Sequence, residues 1–99
     1  MMGARIVMDE EKILSEGTYC LDDIYFTLDK FAKECNLIRR DKYTYICRGG
    51  SRDLADMYRF AYLENSEWFT DNVKEWIWLD DEDENVDILE KRRKRSAFA

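Results

Sequence analysis

The 99-residue chain has no histidine and no proline, only four glycines and only three cysteines. Without histidine, the commonest general base near neutral pH is missing, so histidine-based hydrolytic triads and histidine metal sites are excluded. The cysteines, Cys20, Cys35 and Cys47, are an odd number at wide spacing with no CxxC pair. That set supplies neither a disulfide framework nor the paired ligands of a structural zinc site. The expectation is small buried thiols in a reduced compartment, with no metal and no cofactor.

Long hydrophobic runs are also missing. No stretch of about eighteen apolar residues could cross a bilayer, and MMGARIVMDEEK has no apolar core of a secretory signal. Its glycine is third, where myristoylation needs it second. The chain is expected to be cytoplasmic and free of membrane contact. Carboxylates are abundant but none is marked by a catalytic motif, so the chain is expected not to be an enzyme.

What is present is apolar and charged at once: 45% hydrophobic, 14% aromatic and 38% charged, with a net charge of −6. The charged share exceeds the usual quarter, while the apolar share is that of a folded domain. One compact, aromatic core is therefore expected, in a globular unit over residues 1–79 followed by a charged segment over 80–99.

Glycine alone punctuates the chain, at Gly3, Gly17, Gly49 and Gly50. RIVMD (Arg5 to Asp9) reads as an edge strand, and EEKILSEG as a helical turn or a connection ending at Gly17. From Leu21 to Cys35, apolar residues recur every three or four positions through Ile24, Leu28 and Ala32, the spacing of an amphipathic helix, with Thr18 as N-cap. LIRRDKYTYICR reads as a hairpin. A two-residue turn at Asp41-Lys42 would set Tyr43 opposite Arg40 and Tyr45 opposite Ile38, although the pair lacks the glycine such turns favour, which leaves room for a longer loop. Ser51 then caps a helix over 52–63, whose stripe of Leu54, Met57, Tyr58, Ala61 and Tyr62 predicts a central, well-covered element.

The segment EWFTDNVKEWIWLDDEDE places three tryptophans directly before five acids. Read as a helix capped by Ser66 or Asn65, it gathers Trp68, Phe69, Val73, Trp76, Ile77 and Leu79 on one face and leaves Trp78 on the polar side. Two strands joined at Asp71-Asn72 are the weaker reading, because the first arm would be only four residues long. From residue 80 onward, seven acids precede the five bases Lys91, Arg92, Arg93, Lys94 and Arg95. A short polar helix with charges aligned to its dipole, tacked down by Val86 and Leu89, or disorder beyond Lys91, is the plain reading.

Two functional readings follow. Trp78 with Asp80, Asp81, Glu82, Asp83 and Glu84 would offer a basic protein partner one aromatic anchor and long-range steering. In its extreme form the acid array imitates nucleic-acid phosphates and inhibits an enzyme that binds them. Alternatively, Arg39, Arg40, Lys42, Arg48 and Arg52 around Tyr43 and Tyr45, together with residues 91–95, hold the ingredients of a base-stacking, phosphate-binding surface. An acidic chain without a recognisable nucleic-acid-binding motif favours the first.

KILSEGTYCLDDIYFTLDKFAKECNLI and SEWFTDNVKEWIWLDDED also resemble short accessory proteins encoded on conjugative and related mobile elements of Gram-positive gut bacteria. The pattern is Ile13-Leu14, Glu16-Gly17, Tyr19, Leu21, then Trp68-Phe69, Asp71-Asn72-Val73, Glu75-Trp76 and Trp78, over roughly half the chain. The resemblance implies a bacterial cytoplasmic accessory protein and transfers no catalytic or binding residue. The expected fold is α+β: amphipathic helices packed on a β-hairpin or short antiparallel sheet, with a charged C-terminal helix or tail.

Overall fold

A computed structural model of the chain describes residues 1–81 and 84–97. The first element, β1 (Met2–Met8), is the middle strand of a five-stranded antiparallel sheet. β2 (Ile38–Arg39) and β3 (Thr44–Ile46) lie on one side of it, β4 (Val73–Asp80) and β5 (Val86–Asp87) on the other, in the order β2-β3-β1-β4-β5. The expected edge strand is thus central. Ala4, Ile6 and Met8 are each 1% exposed, burial that RIVMD acquires only from partners distant in sequence.

Five helices accompany the sheet: α1 (Glu10–Glu16), α2 (Leu21–Glu34), α3 (Asp53–Phe60), α4 (Glu67–Thr70) and α5 (Ile88–Ala97), with a 3₁₀ turn over Ala61–Asn65. The chain is a small α+β domain, as its patterning predicts. Asp9 caps α1 by accepting from the Lys12 amide, and Gly17 ends it in the left-handed region at φ 67°. On α2, Ile24, Leu28 and Ala32 face the core as their spacing predicts, whereas the cap is Cys20 rather than Thr18 and makes no side-chain bond. Phe26 is exposed on the far face.

The hairpin pairs Ile38 with Ile46 and Arg39 with Tyr45, one residue out of the two-residue-turn register. Without a turn glycine the link runs through a wider loop, closed by Arg40 N–H donating to the Thr44 carbonyl and Tyr43 N–H to the Asp41 carboxylate. At Ser51 the expected cap is absent. Asp53 Oδ1 instead accepts from the Gly49 and Gly50 amides at 3.2 and 3.0 Å.

The largest departure lies in the tryptophan segment. Residues 66–79 are one turn of helix, α4, and then a strand, β4, hinged at Asp71-Asn72. Asn72 Nδ2 donates back to the Trp68 carbonyl, and the Asn72 carbonyl accepts from the Asp9 amide. β4 then pairs with β1 along its length, so ladder hydrogen bonds and burial of Trp76 outweigh the local helical periodicity. A bulge between Val7 and Met8 turns Val73 into the core, beside Met8.

The segment after residue 79 is built into the domain rather than appended to it. β5 pairs with β4 through Ile77↔Asp87 and Trp78↔Val86, and Asp87 Oδ1 accepts the Glu90 amide at the start of α5. Ile88 and Leu89 pack against the core. Ladder pairing assigns Ala4, Ile6, Tyr45, Trp76, Trp78 and Val86 to the helix-covered face of the sheet.

Candidate protein-binding cleft

Alternation along β4 puts Trp76 and Trp78 on the same face, yet their surroundings differ. Trp76 is 1% exposed beneath the helices. Trp78, two residues further on, is only half-buried, between Ala4 of β1 and Val86 of β5. Its ring meets Tyr58 of α3 edge-on, centroids 5.7 Å apart at 67°.

Around that pair lies an open cleft of about 640 Å³, lined by Met2, Leu54, Tyr58, Trp78, Val86 and Ile88. Leu54 and Tyr58 are 48% and 62% exposed. Of the stripe expected to be well covered, Leu54, Tyr58 and Ala61 therefore wall this cleft, Tyr62 is exposed elsewhere and Met57 alone is buried as expected. The face of α3 that is buried instead carries Met57, Phe60 and Asp56. Asp56 tolerates burial because its carboxylate accepts from Asn36 Nδ2, and Asn36 sits in the left-handed conformation that ends α2. Leu54 and Tyr58 are the site residues that the sequence assigned to the core, and the breadth of the apolar stripe on 52–63 was the signal that one side would remain uncovered.

The rim is polar. Asp80, Glu84 and Glu64 border the cleft, with Lys91 of α5 among them. Asn85 Oδ1 accepts the Asp80 amide at 3.0 Å, tying the residue before β5 to the end of β4. Asp81 turns elsewhere and pairs with the N-terminal ammonium at 3.0 Å. Glu82 and Asp83 lie outside the described residues.

The alternative, nucleic-acid constellation is not assembled into a stacking surface. Tyr45 is 1% exposed, and its hydroxyl donates to Asp29 at 2.8 Å, so it has no free ring face for a base. Burial, then the bond to Asp29, pushes that hydroxyl's pKa up. Arg39 is held by the same Asp29 at 2.8 Å and by the carbonyls of Asp41 and Lys42. Tyr43 and Tyr25 both donate to Glu10, and Lys42 lies over their rings while pairing with Glu10 at 3.3 Å. Desolvation pushes the Glu10 carboxyl up, but the bonds from Tyr25, Lys42 and Tyr43 outweigh it and hold the pKa low.

Arg40, Arg48 and Arg52 remain exposed. The basic block is separated from them, because α5 follows the β5 edge while the hairpin forms the opposite edge. Within that block Lys94 pairs with Glu90 at 3.3 Å, Arg92 reaches the Glu64 carbonyl at 3.5 Å and Arg93 is exposed. The Arg95 side chain lies outside the described residues.

Cys20 is exposed, and Cys35 and Cys47 are buried; all three are free thiols. Burial, assisted by Asp53 and Asp56, pushes the Cys47 thiol up to about 12. Among the described residues no three or more Cys, Asp or Glu side chains converge as metal ligands, and no helix is long and apolar enough to cross a membrane. In comparison with known proteins, the chain matches no family model, no curated protein and no solved structure.

Proposed function

We propose that the chain is a non-catalytic protein-binding accessory protein, and that the Trp78 cleft with Asp80 and Glu84 on its rim is its contact surface. The observation that carries this reading is a half-buried tryptophan in a cleft walled by exposed Leu54 and Tyr58. Aromatic anchors in pockets supply most of the energy of protein interfaces, while charged rims supply steering and selectivity. In a chain of net charge −6, the complementary ligand is an apolar side chain flanked by lysines or arginines on a partner's surface. The resemblance to mobile-element accessory proteins supplies the setting, a bacterial cytoplasm. The nucleic-acid reading has less behind it, since its two tyrosines are buried or tied down and its two basic groups lie at opposite edges of the sheet.

Affinity capture from a bacterial host lysate, with and without nuclease, tests the proposal when run on three baits: wild type, Leu54→Asp and Arg48→Glu. A protein retained by wild type and Arg48→Glu but lost from Leu54→Asp is the expected result. Material held only when nuclease is omitted, and lost from Arg48→Glu, would move the assignment to nucleic acid.

A further inference from the structure

The helices all lie on one side of the sheet, and the molecule is only 19 Å across its thinnest dimension, room for a sheet and a single covering layer. The opposite face is set by the same ladders. Ile38, Ile46, Gly3 and Leu79 form one row across β2, β3, β1 and β4; Thr44, Arg5, Ile77 and Asp87 form the next across β3, β1, β4 and β5; Val7 and Glu75 complete it. Val7, Ile46, Ile77 and Leu79 are only half-buried and Ile38 is 42% exposed, and none of the five packs against the core. Five aliphatic side chains thus share an outer surface of a chain that is 38% charged.

Independently of the Trp78 cleft, we infer that this face is a self-association surface, packed face to face against a second copy of the chain. Charge selects that occupant. One charge stands at each margin, Arg40 opposite Thr44 and Asp87 engaged by the Glu90 amide, and between them the face carries one cation and one anion, Arg5 and Glu75, paired at 3.1 Å. It is close to neutral on a molecule of charge −6, so two copies can meet here with less repulsion than elsewhere. A basic partner would find little to steer it. The Arg5-Glu75 pair is also self-complementary: a two-fold axis in the interface plane, perpendicular to the line joining them, sets each Arg5 over the Glu75 of the other copy.

Area sets the strength of the contact. At about 4.8 Å between strands and 3.3 Å per residue, the 22 strand residues cover roughly 350 Å² per copy. The pair would bury about 700 Å², less than a stable complex and in the range of weak, transient ones. The dimer is therefore concentration-dependent, and because the two clefts lie on the helix side of each sheet, both remain open on its outside.

Sedimentation equilibrium of the full chain, from micromolar to near-millimolar concentration and at low and raised salt, tests the inference. The expected result is a reversible monomer–dimer equilibrium that tightens with salt as like charges are screened. Ile77→Lys, which places a charge in the middle of the face, should weaken it tenfold or more, and Leu54→Asp in the cleft should leave it unchanged. A wild type that stays monomeric throughout, or a dimer broken by Leu54→Asp and not by Ile77→Lys, would overturn it. Should Ile77→Lys fail to fold, concentration-dependent amide shifts in the wild type decide: changes at Val7, Ile46 and Leu79 support the face, and changes confined to Leu54 and Tyr58 refute it.

Discussion

The Trp76 indole meets the Phe69 ring edge-on, with centroids 4.9 Å apart and planes at 82°. Phe69 belongs to the single turn of α4 and Trp76 to the middle of β4, so the contact locks the hinge at Asp71-Asn72 from its inner side. Neither ring is more than 1% exposed.

Phe69→Ala and Trp76→Ala should each lower the free energy of unfolding by about 3–5 kcal/mol, the usual cost of emptying a buried aromatic site. In a double-mutant cycle the two should couple by about 0.5–1.5 kcal/mol, the share of an edge-to-face pair beyond its buried area. Urea denaturation of the four proteins measures both quantities. Strict additivity would mean that the rings are neighbours without mutual energy.

That hinge is also where the sequence is least transparent. Trp68, Phe69, Val73, Trp76 and Ile77 satisfy a helical period, while Trp76 and Trp78 satisfy a strand period equally well. Apolar residues lie on both faces of β4, so neither pattern excludes the other, and the arbiter is β1, some seventy residues earlier. Where one face alone is apolar, as in α2, the element and its buried Ile24, Leu28 and Ala32 are legible directly. On α3 the apolar stripe was visible, but not that the Asn36 amide would satisfy a buried Asp56 and so rotate Leu54 and Tyr58 outward. Trp78 was singled out on a helix that does not form, among the described residues Asp80 and Glu84 alone of the five acids border the cleft, and the far wall was legible only as an excess of apolar residues on 52–63.

The cysteines should differ sharply in reactivity. The thiolate is the nucleophile, and burial raises the pKa of both Cys35 and Cys47, the latter to about 12. Cys20, at the start of α2, is exposed. Native protein at neutral pH should therefore release colour from a disulfide reagent in one rapid phase at Cys20, with Cys35 and Cys47 reacting only on unfolding. Rapid labelling of all three would place the Cys35 and Cys47 thiols within reach of solvent.

Glu10 should make part of the acid sensitivity. Its folded pKa lies below the ordinary 4.5, so its contribution to stability is complete above that value and is lost as pH falls through the lowered folded value. Glu10→Gln removes the carboxylate that receives Tyr25, Tyr43 and Lys42. The gap in Tm between wild type and Glu10→Gln should be widest at neutral pH and shrink below 4.5. A gap independent of pH would show that the cluster does not depend on the ionised carboxyl.

Trp76 and Trp78 share a face of one strand, so a comparison of the two separates packing from recognition. Trp76 reaches the floor of the cleft but is 1% exposed, whereas Trp78 is half-buried, with core on one side and the cleft on the other. Trp78→Ala should consequently cost less stability than Trp76→Ala, because a side chain that folding only half desolvates leaves a smaller cavity behind. On the exposed wall, Leu54→Asp should change stability by no more than about 0.5 kcal/mol, and Tyr58→Ser by no more than the roughly 0.5–1.5 kcal/mol of its edge-on pair with Trp78. If these two substitutions instead destabilise the chain as a core change does, measured by the same urea titration, the wall of the cleft is structural and the apolar surface there is already spoken for. If they leave stability intact, the exposure of Leu54 and Tyr58 is tolerated by the fold without contributing to it, as expected of residues kept for a partner.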